Sequence, residues 1–193
     1  MKKIIDKKTL LFFILISILG LIFGLVFIFF ITKMDKLIIK TELTEYIDFI
    51  INNKFNIKEA IINSITTNFI EYSTVFITSI IFVLFPICMF LNFYKFFSFG
   101  FMIASFIYVF KIKGLKYLLY LIFPFKIIEL ILFVLFLCFS IRFSKHIYLY
   151  LKNTDINIKL SIKRYFIIYI IFLMTSFIIS VLNLLLSSFL LTM

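Results

Sequence analysis

The sequence predicts an all-α fold, a polytopic transmembrane helical bundle of about five spans with an amphipathic helix in its outer loop. Three observations carry that expectation. Apolar residues make up 64% of a chain of 193 residues, more than a soluble globule of this size could hide. They are gathered into runs of about twenty, the length a helix needs to cross a bilayer. Most lysines and arginines fall between those runs, so the net charge of +11, which in a soluble domain would suggest nucleic acid, is accounted for by topology. The bilayer is the expected partner, nucleic acid is not, and residues 1–193 read as one integral membrane domain.

The first span covers 10–31. Its basic start, "MKKIIDKK", resembles that of a signal peptide, but the apolar run is too long and no small-x-small cleavage site follows, so it reads as an uncleaved helix. Within it, "GLIFG" sets Gly20 and Gly24 about one turn apart, with Ser17 on nearly the same face. Such flat positions let another helix approach closely. A partner within the same chain is favoured, and a homo-oligomer is left open.

The outer loop, 33–71, contains "NIKEAIINSITTNFIEY". Asn56 followed by Glu59 resembles a capping box, and Ile57, Ile61, Ile65 and Phe69 recur at helical spacing, which predicts an amphipathic helix running into the second span at 73–91. Asn68 and Asn92 flank that span. The third, 96–110, is short and bounded by Lys95 and Lys111. Either it crosses with its lysines snorkelling to the two interfaces, or it forms a re-entrant hairpin. Gly100 inside it marks a second site of close packing. The fourth span covers 117–141, a basic inner loop 142–165, and the fifth span 166–191.

Basic residues set the expected orientation. With the N-terminus cytoplasmic and five crossings, the inside holds Lys2, Lys3, Lys7, Lys8, Lys95 and the basic residues of the inner loop. Against them stand only Asp6 and Asp155. The outside carries lysines offset by Asp35, Glu42, Glu45, Asp48, Glu59 and Glu71, and the C-terminus is expected outside. The cluster Lys111, Lys113 and Lys116 fits this arrangement poorly. Tyr72, Tyr94, Tyr108, Tyr117, Tyr120, Tyr165 and Tyr169 fall near predicted span ends, where an amphipathic ring prefers to lie.

Chemistry-bearing patterns are few. Cys88 and Cys138 lie inside apolar stretches, so neither a disulfide framework nor a CxxC metal site is available. His146 is the single histidine and sits among Arg142 and Lys145. With no HExxH, GxSxG, Walker A or GxGxxG pattern, no catalytic, metal-ligating or cofactor-binding residue is expected, and the chain does not read as an enzyme. The fourth span is the exception to its own apolarity, carrying Pro124, Lys126 and Glu129 in "FPFKIIELIL". A charge at mid-bilayer costs about 2.5–3.5 kcal/mol on insertion scales. Lys126 and Glu129, three apart, share a helix face and can pair. Pro124 removes a backbone donor and predicts a kink that frees the carbonyl of Tyr120. Together the three predict an intramembrane polar joint.

The order of these features resembles the stage II sporulation protein M family of five-span membrane proteins. The resemblance rests on Asn68 before the second span, on "FLNFYKFFSFGFM" with Asn92 and Gly100, and on Pro124, Glu129 and Leu130 in the fourth. Phe125 and Lys126 stand where the family often has His and Gly, and Ile131 replaces a second proline. The resemblance implies a non-enzymatic membrane scaffold or assembly component that recruits cell-wall (peptidoglycan) remodelling partners, other membrane or wall-associated proteins among them. A small transport subunit or channel built on Glu129 and Lys126 is the alternative.

Overall fold

The computed structural model describes residues 6–51, 57–121, 123–152 and 158–191, leaving aside the side chains at 49–51, 57, 82, 120, 121, 123, 124, 158 and 184–191. Among the described residues there are seven α-helices and no strand. The first, α1 (Lys7–Phe27), is capped by Asp6, whose carboxylate accepts from the Lys8 N–H at 3.2 Å. Its buried positions are Phe13, Ser17, Gly20 and Gly24, a four-three-four spacing that draws one narrow stripe along the helix. Leu11, Leu15 and Phe23 face outward, as expected of a helix apolar on every side and set in lipid.

Then follow α2 (Lys33–Ile51), α3 (Ile57–Ile80), a 3-10 turn at Phe82–Leu84, α4 (Phe85–Phe110), α5 (Ile112–Leu121), α6 (Phe123–Leu151) and α7 (Ile158–Leu191). By length and hydropathy, α1, α4, α6 and α7 can cross a membrane. The chain is therefore a multi-pass membrane protein in its helix composition. Side-chain pairings set the helix directions. Phe13 meets Phe85 and Phe27 meets Phe101, so α1 and α4 are parallel. Thr78 meets Cys88 and Glu71 meets Lys95, so α3 runs against α4. Phe143 stacks on Tyr165 and Phe136 packs on Phe172, so α6 and α7 are antiparallel. Two parallel helices that both cross a bilayer need a return between them. The element that makes it is α3, less apolar than the four but about 36 Å long.

The helix boundaries differ from the sequence expectation in several places, the expected fourth span 117–141 among them: α5 ends at Leu121, and α6 starts at Phe123 and runs on to Leu151, into the expected inner loop. The stretch 73–91 is not one helix: the chain bends at Ile81, and α4 starts at Phe85 with Pro86 in its first turn. Lys95 does not end a span, because α4 continues through it to Phe110 as one 26-residue helix, and no separate short span exists at 96–110. Nor does Pro124 kink a helix. It is the second residue of α6, where a missing N–H and a preset φ cost nothing. The outer loop holds two helices, α2 and α3, and α3 continues unbroken from Lys58 through Glu71 to Ile80. Asn56, the proposed cap of that helix, lies outside the described residues.

A large core joins α1, α3, α4, α6 and α7 around Phe13, Tyr72, Phe133, Phe136 and Tyr165. A small one at the opposite end joins α2, α4 and α5 through Ile47, Phe106 and Leu118. Tyr72 and Tyr165 are thus core residues and not members of an interfacial belt. The Tyr165 hydroxyl lies 2.7 Å from Ser79 Oγ and 2.8 Å from Ser140 Oγ, and that of Tyr169 lies 2.8 Å from Ser73 Oγ. These bonds spare the two tyrosine hydroxyls an unpaired burial.

Candidate functional site

Lys95 is the residue around which the site forms. On α4 it belongs to a buried stripe of Cys88, Asn92, Lys95 and Phe99, again at four-three-four spacing, about 15 Å from the helix start. An ammonium there must find carboxylates or lose its proton. Glu71 of α3 and Glu129 of α6 supply them. Lys95 pairs with Glu71, and its Nζ lies 3.0 Å from Glu129 Oε1. Lys126, three residues before Glu129, donates to both of its oxygens at 3.2 and 3.1 Å. Lys95 Nζ also sits 4.6 Å from the centre of the Phe133 ring and 5.9 Å from that of Tyr72, an attraction strengthened by desolvation.

Two ammonium groups and two carboxylates sum to zero. The side chains of Lys95 and Glu129 are 5% and 6% exposed, those of Glu71 and Lys126 23% and 34%. The cluster therefore has a closed centre and two partly open ends. Breaking a buried pair by removing one partner leaves an uncompensated charge and costs about 3–5 kcal/mol. The arrangement fixes α3, α4 and α6 against one another. Of the predicted joint, Lys126 and Glu129 are part of this cluster. Pro124 is placed at the start of the same helix, and its side chain lies outside the described residues.

One turn before Lys95, Asn92 turns to α1. Its Nδ2 donates to the Phe13 carbonyl at 3.1 Å and to Ser17 Oγ at 3.0 Å, while Ser17 donates to the Phe13 carbonyl at 2.8 Å. Farther along, Gly20 and Gly24 lie against the backbone of α4 at Phe93 and Phe97, and Gly100 lies against Leu21 of α1. A Cβ on Gly24 would fall 2.7 Å from the Phe101 nitrogen and closer still to the Phe97 carbonyl. Ser17, Gly20, Gly24, Asn92 and Gly100 thus form one seam between two helices of the same chain. Asn68 is not in it: it donates to Ser180 Oγ of α7 at 2.7 Å.

Glu71 and Lys95 were not legible as site residues. By sequence each stands at the edge of an expected span, Lys95 because a lysine between apolar runs normally marks a span end. The available signal was the stretch 85–110, which carries that one charge among otherwise uncharged residues. Among the described residues, no three His, Cys, Asp or Glu side chains gather as metal ligands would.

Fold and site together define a multi-pass helical membrane protein with a neutral charge cluster buried between α3, α4 and α6. A family model described as stage II sporulation protein M matches residues 9–182, and the chain belongs to that family. No curated protein and no solved structure matches it.

Proposed function

We propose that this protein is a non-enzymatic membrane scaffold that recruits cell-wall (peptidoglycan) remodelling partners. The observation that carries this reading is that the buried charges are matched within the chain. Lys95 and Lys126 hold Glu129, and Lys95 holds Glu71, so the cluster serves as a fixed joint and not as a reacting group. A rigid frame with one end basic suits a docking role. Lys7, Lys8, Arg142, Lys145, Lys159, Lys163 and Arg164 belong to the end where α1 and α7 begin and α6 finishes. By the positive-inside tendency that end faces the cytoplasm, and the C-terminus lies outside. The test is affinity purification from native membranes at native expression, followed by mass spectrometry. Wall hydrolases or another membrane protein are the expected companions, and isolation of this chain by itself would refute the proposal.

A transport subunit or channel is the second reading, favoured by one feature: Lys126 is a third exposed, so the cluster touches its surroundings. It predicts that Glu129→Gln abolishes uptake while the protein still inserts. Purified protein that moves and binds no solute in liposomes would end it.

A further inference from the structure

We propose that α3 is a conditional span, placed across the membrane during assembly only because helices made after it, α7 above all, complete its polar face. It is long enough to cross but lacks the apolarity of α1, α4, α6 and α7. Asn68, Glu71, Ser73, Thr78 and Ser79 lie within about three of its turns. An unpaired carboxylate or amide in lipid opposes insertion.

The structure pairs each of these residues with a later helix. Glu71 meets Lys95 of α4, and the Thr78 hydroxyl lies 3.0 Å from the sulfur of Cys88. Toward α7, Asn68 donates to Ser180 Oγ at 2.7 Å, Ser73 lies 2.8 Å from the Tyr169 hydroxyl, and Ser79 lies 2.7 Å from that of Tyr165. The rings follow the same rule: Tyr72 packs on Phe133 and Phe136 of α6, and Phe76 on Tyr165, Phe166 and Tyr169 of α7. When α3 is made only α1 and α2 precede it, so none of these partners exists yet. On its other face Ile62, Phe69, Ile70 and Ile77 are exposed. A helix so divided has a second place to rest, flat on the membrane surface.

Lys111, Lys113 and Lys116 favour that second place. A chain whose α3 has not crossed threads α4 in the reverse direction and puts these three on the side of Lys7 and Lys8, where basic residues are preferred. The cluster that fits its final side poorly fits the competing one well. The bonds to α7 decide against it.

The experiment places a cysteine at Val83, in the exposed turn between α3 and α4, and labels the full chain in intact and in opened cells with a maleimide that does not cross membranes. Lys8→Cys and Lys40→Cys report the two sides, and the native Cys88 and Cys138 are buried. In the parent, Val83→Cys is expected on the side of Lys8→Cys. Tyr165→Phe, Tyr169→Phe and Ser180→Ala together remove three bonds between α3 and α7. At the average strength of interhelical bonds in membranes, the ratio of misplaced to correctly placed turns should rise about twentyfold. Thr66→Leu with Thr67→Leu, at exposed positions whose hydroxyls bond carbonyls of α3 itself, should reverse the change, or restore the protein's level where the triple variant is degraded. Val83→Cys on the side of Lys40→Cys in the parent, an unmoved Val83→Cys in the triple variant, or no rescue by the leucine pair would overturn the proposal.

Discussion

Helix α4 is held on two sides by opposite means. Toward α1 it offers backbone to glycine, and toward α3 and α6 it offers an ammonium to two carboxylates. In lipid the tails are as apolar as leucine, so helices gain little from hydrophobic burial against one another. Close packing and interhelical polar bonds must hold them. The α1 seam depends on atoms being absent at Gly20, Gly24 and Gly100. The charge joint depends on charges being present in equal number. An added methyl should therefore damage the first, and a lost charge the second.

The sharpest way to break the contrast is Lys95→Met, which strands Glu71 and leaves Glu129 with Lys126 alone. A loss of about 3–5 kcal/mol is expected, measured as early unfolding in detergent followed by size-exclusion chromatography. Adding Glu71→Gln to Lys95→Met, which leaves Lys126 against Glu129, should recover most of it, because the joint needs balance more than charge. Parent-like stability of the single variant would show that the three groups do not share one buried site.

Gly24→Ala comes next, at about 2–3 kcal/mol, since the contact is with backbone that cannot step aside. Gly20→Ala should cost less, its neighbours at Phe93 and Phe96 being slightly farther off. If both variants melt with the parent, α1 is not seated on α4. Asn92→Ala removes two donated bonds and should cost about 1 kcal/mol, within the range found for interhelical bonds in membranes. Its readout is a thermal shift together with weaker protection of α1 in hydrogen exchange. Smallest is Lys126→Gln, about 0.5 kcal/mol, because that side chain is partly solvated and Glu129 keeps Lys95. A larger effect than that of Lys95→Met would reverse the ranking of the two lysines.

The two sides of α4 were not equally legible. "GLIFG" and Gly100 announce close approach by residue type alone, although nothing in their spacing says that the approach is mutual and between parallel helices. Lys126 and Glu129 are three apart on one helix, so their pairing follows from helical geometry. Glu71 and Lys95 are separated by 24 residues and a bend at Ile81. Each looked like a boundary residue. The tyrosines misled in the same way: their proximity to predicted span ends suggested an interface, while Tyr165 bonds Ser79 and Ser140 in the core.

The sequence by itself determined the helical class, the membrane setting, the family and the presence of unaffordable charges in apolar helices. Those properties reside in composition and in short-range periodicity, which survive without knowledge of neighbours. Only the tertiary structure decided which charge answers which, that α4 runs unbroken through Lys95, and that α3 returns the chain between parallel α1 and α4. A buried ion is stabilised by whatever lies within a few ångströms of it, and that distance is set by how helices far apart in the chain are packed.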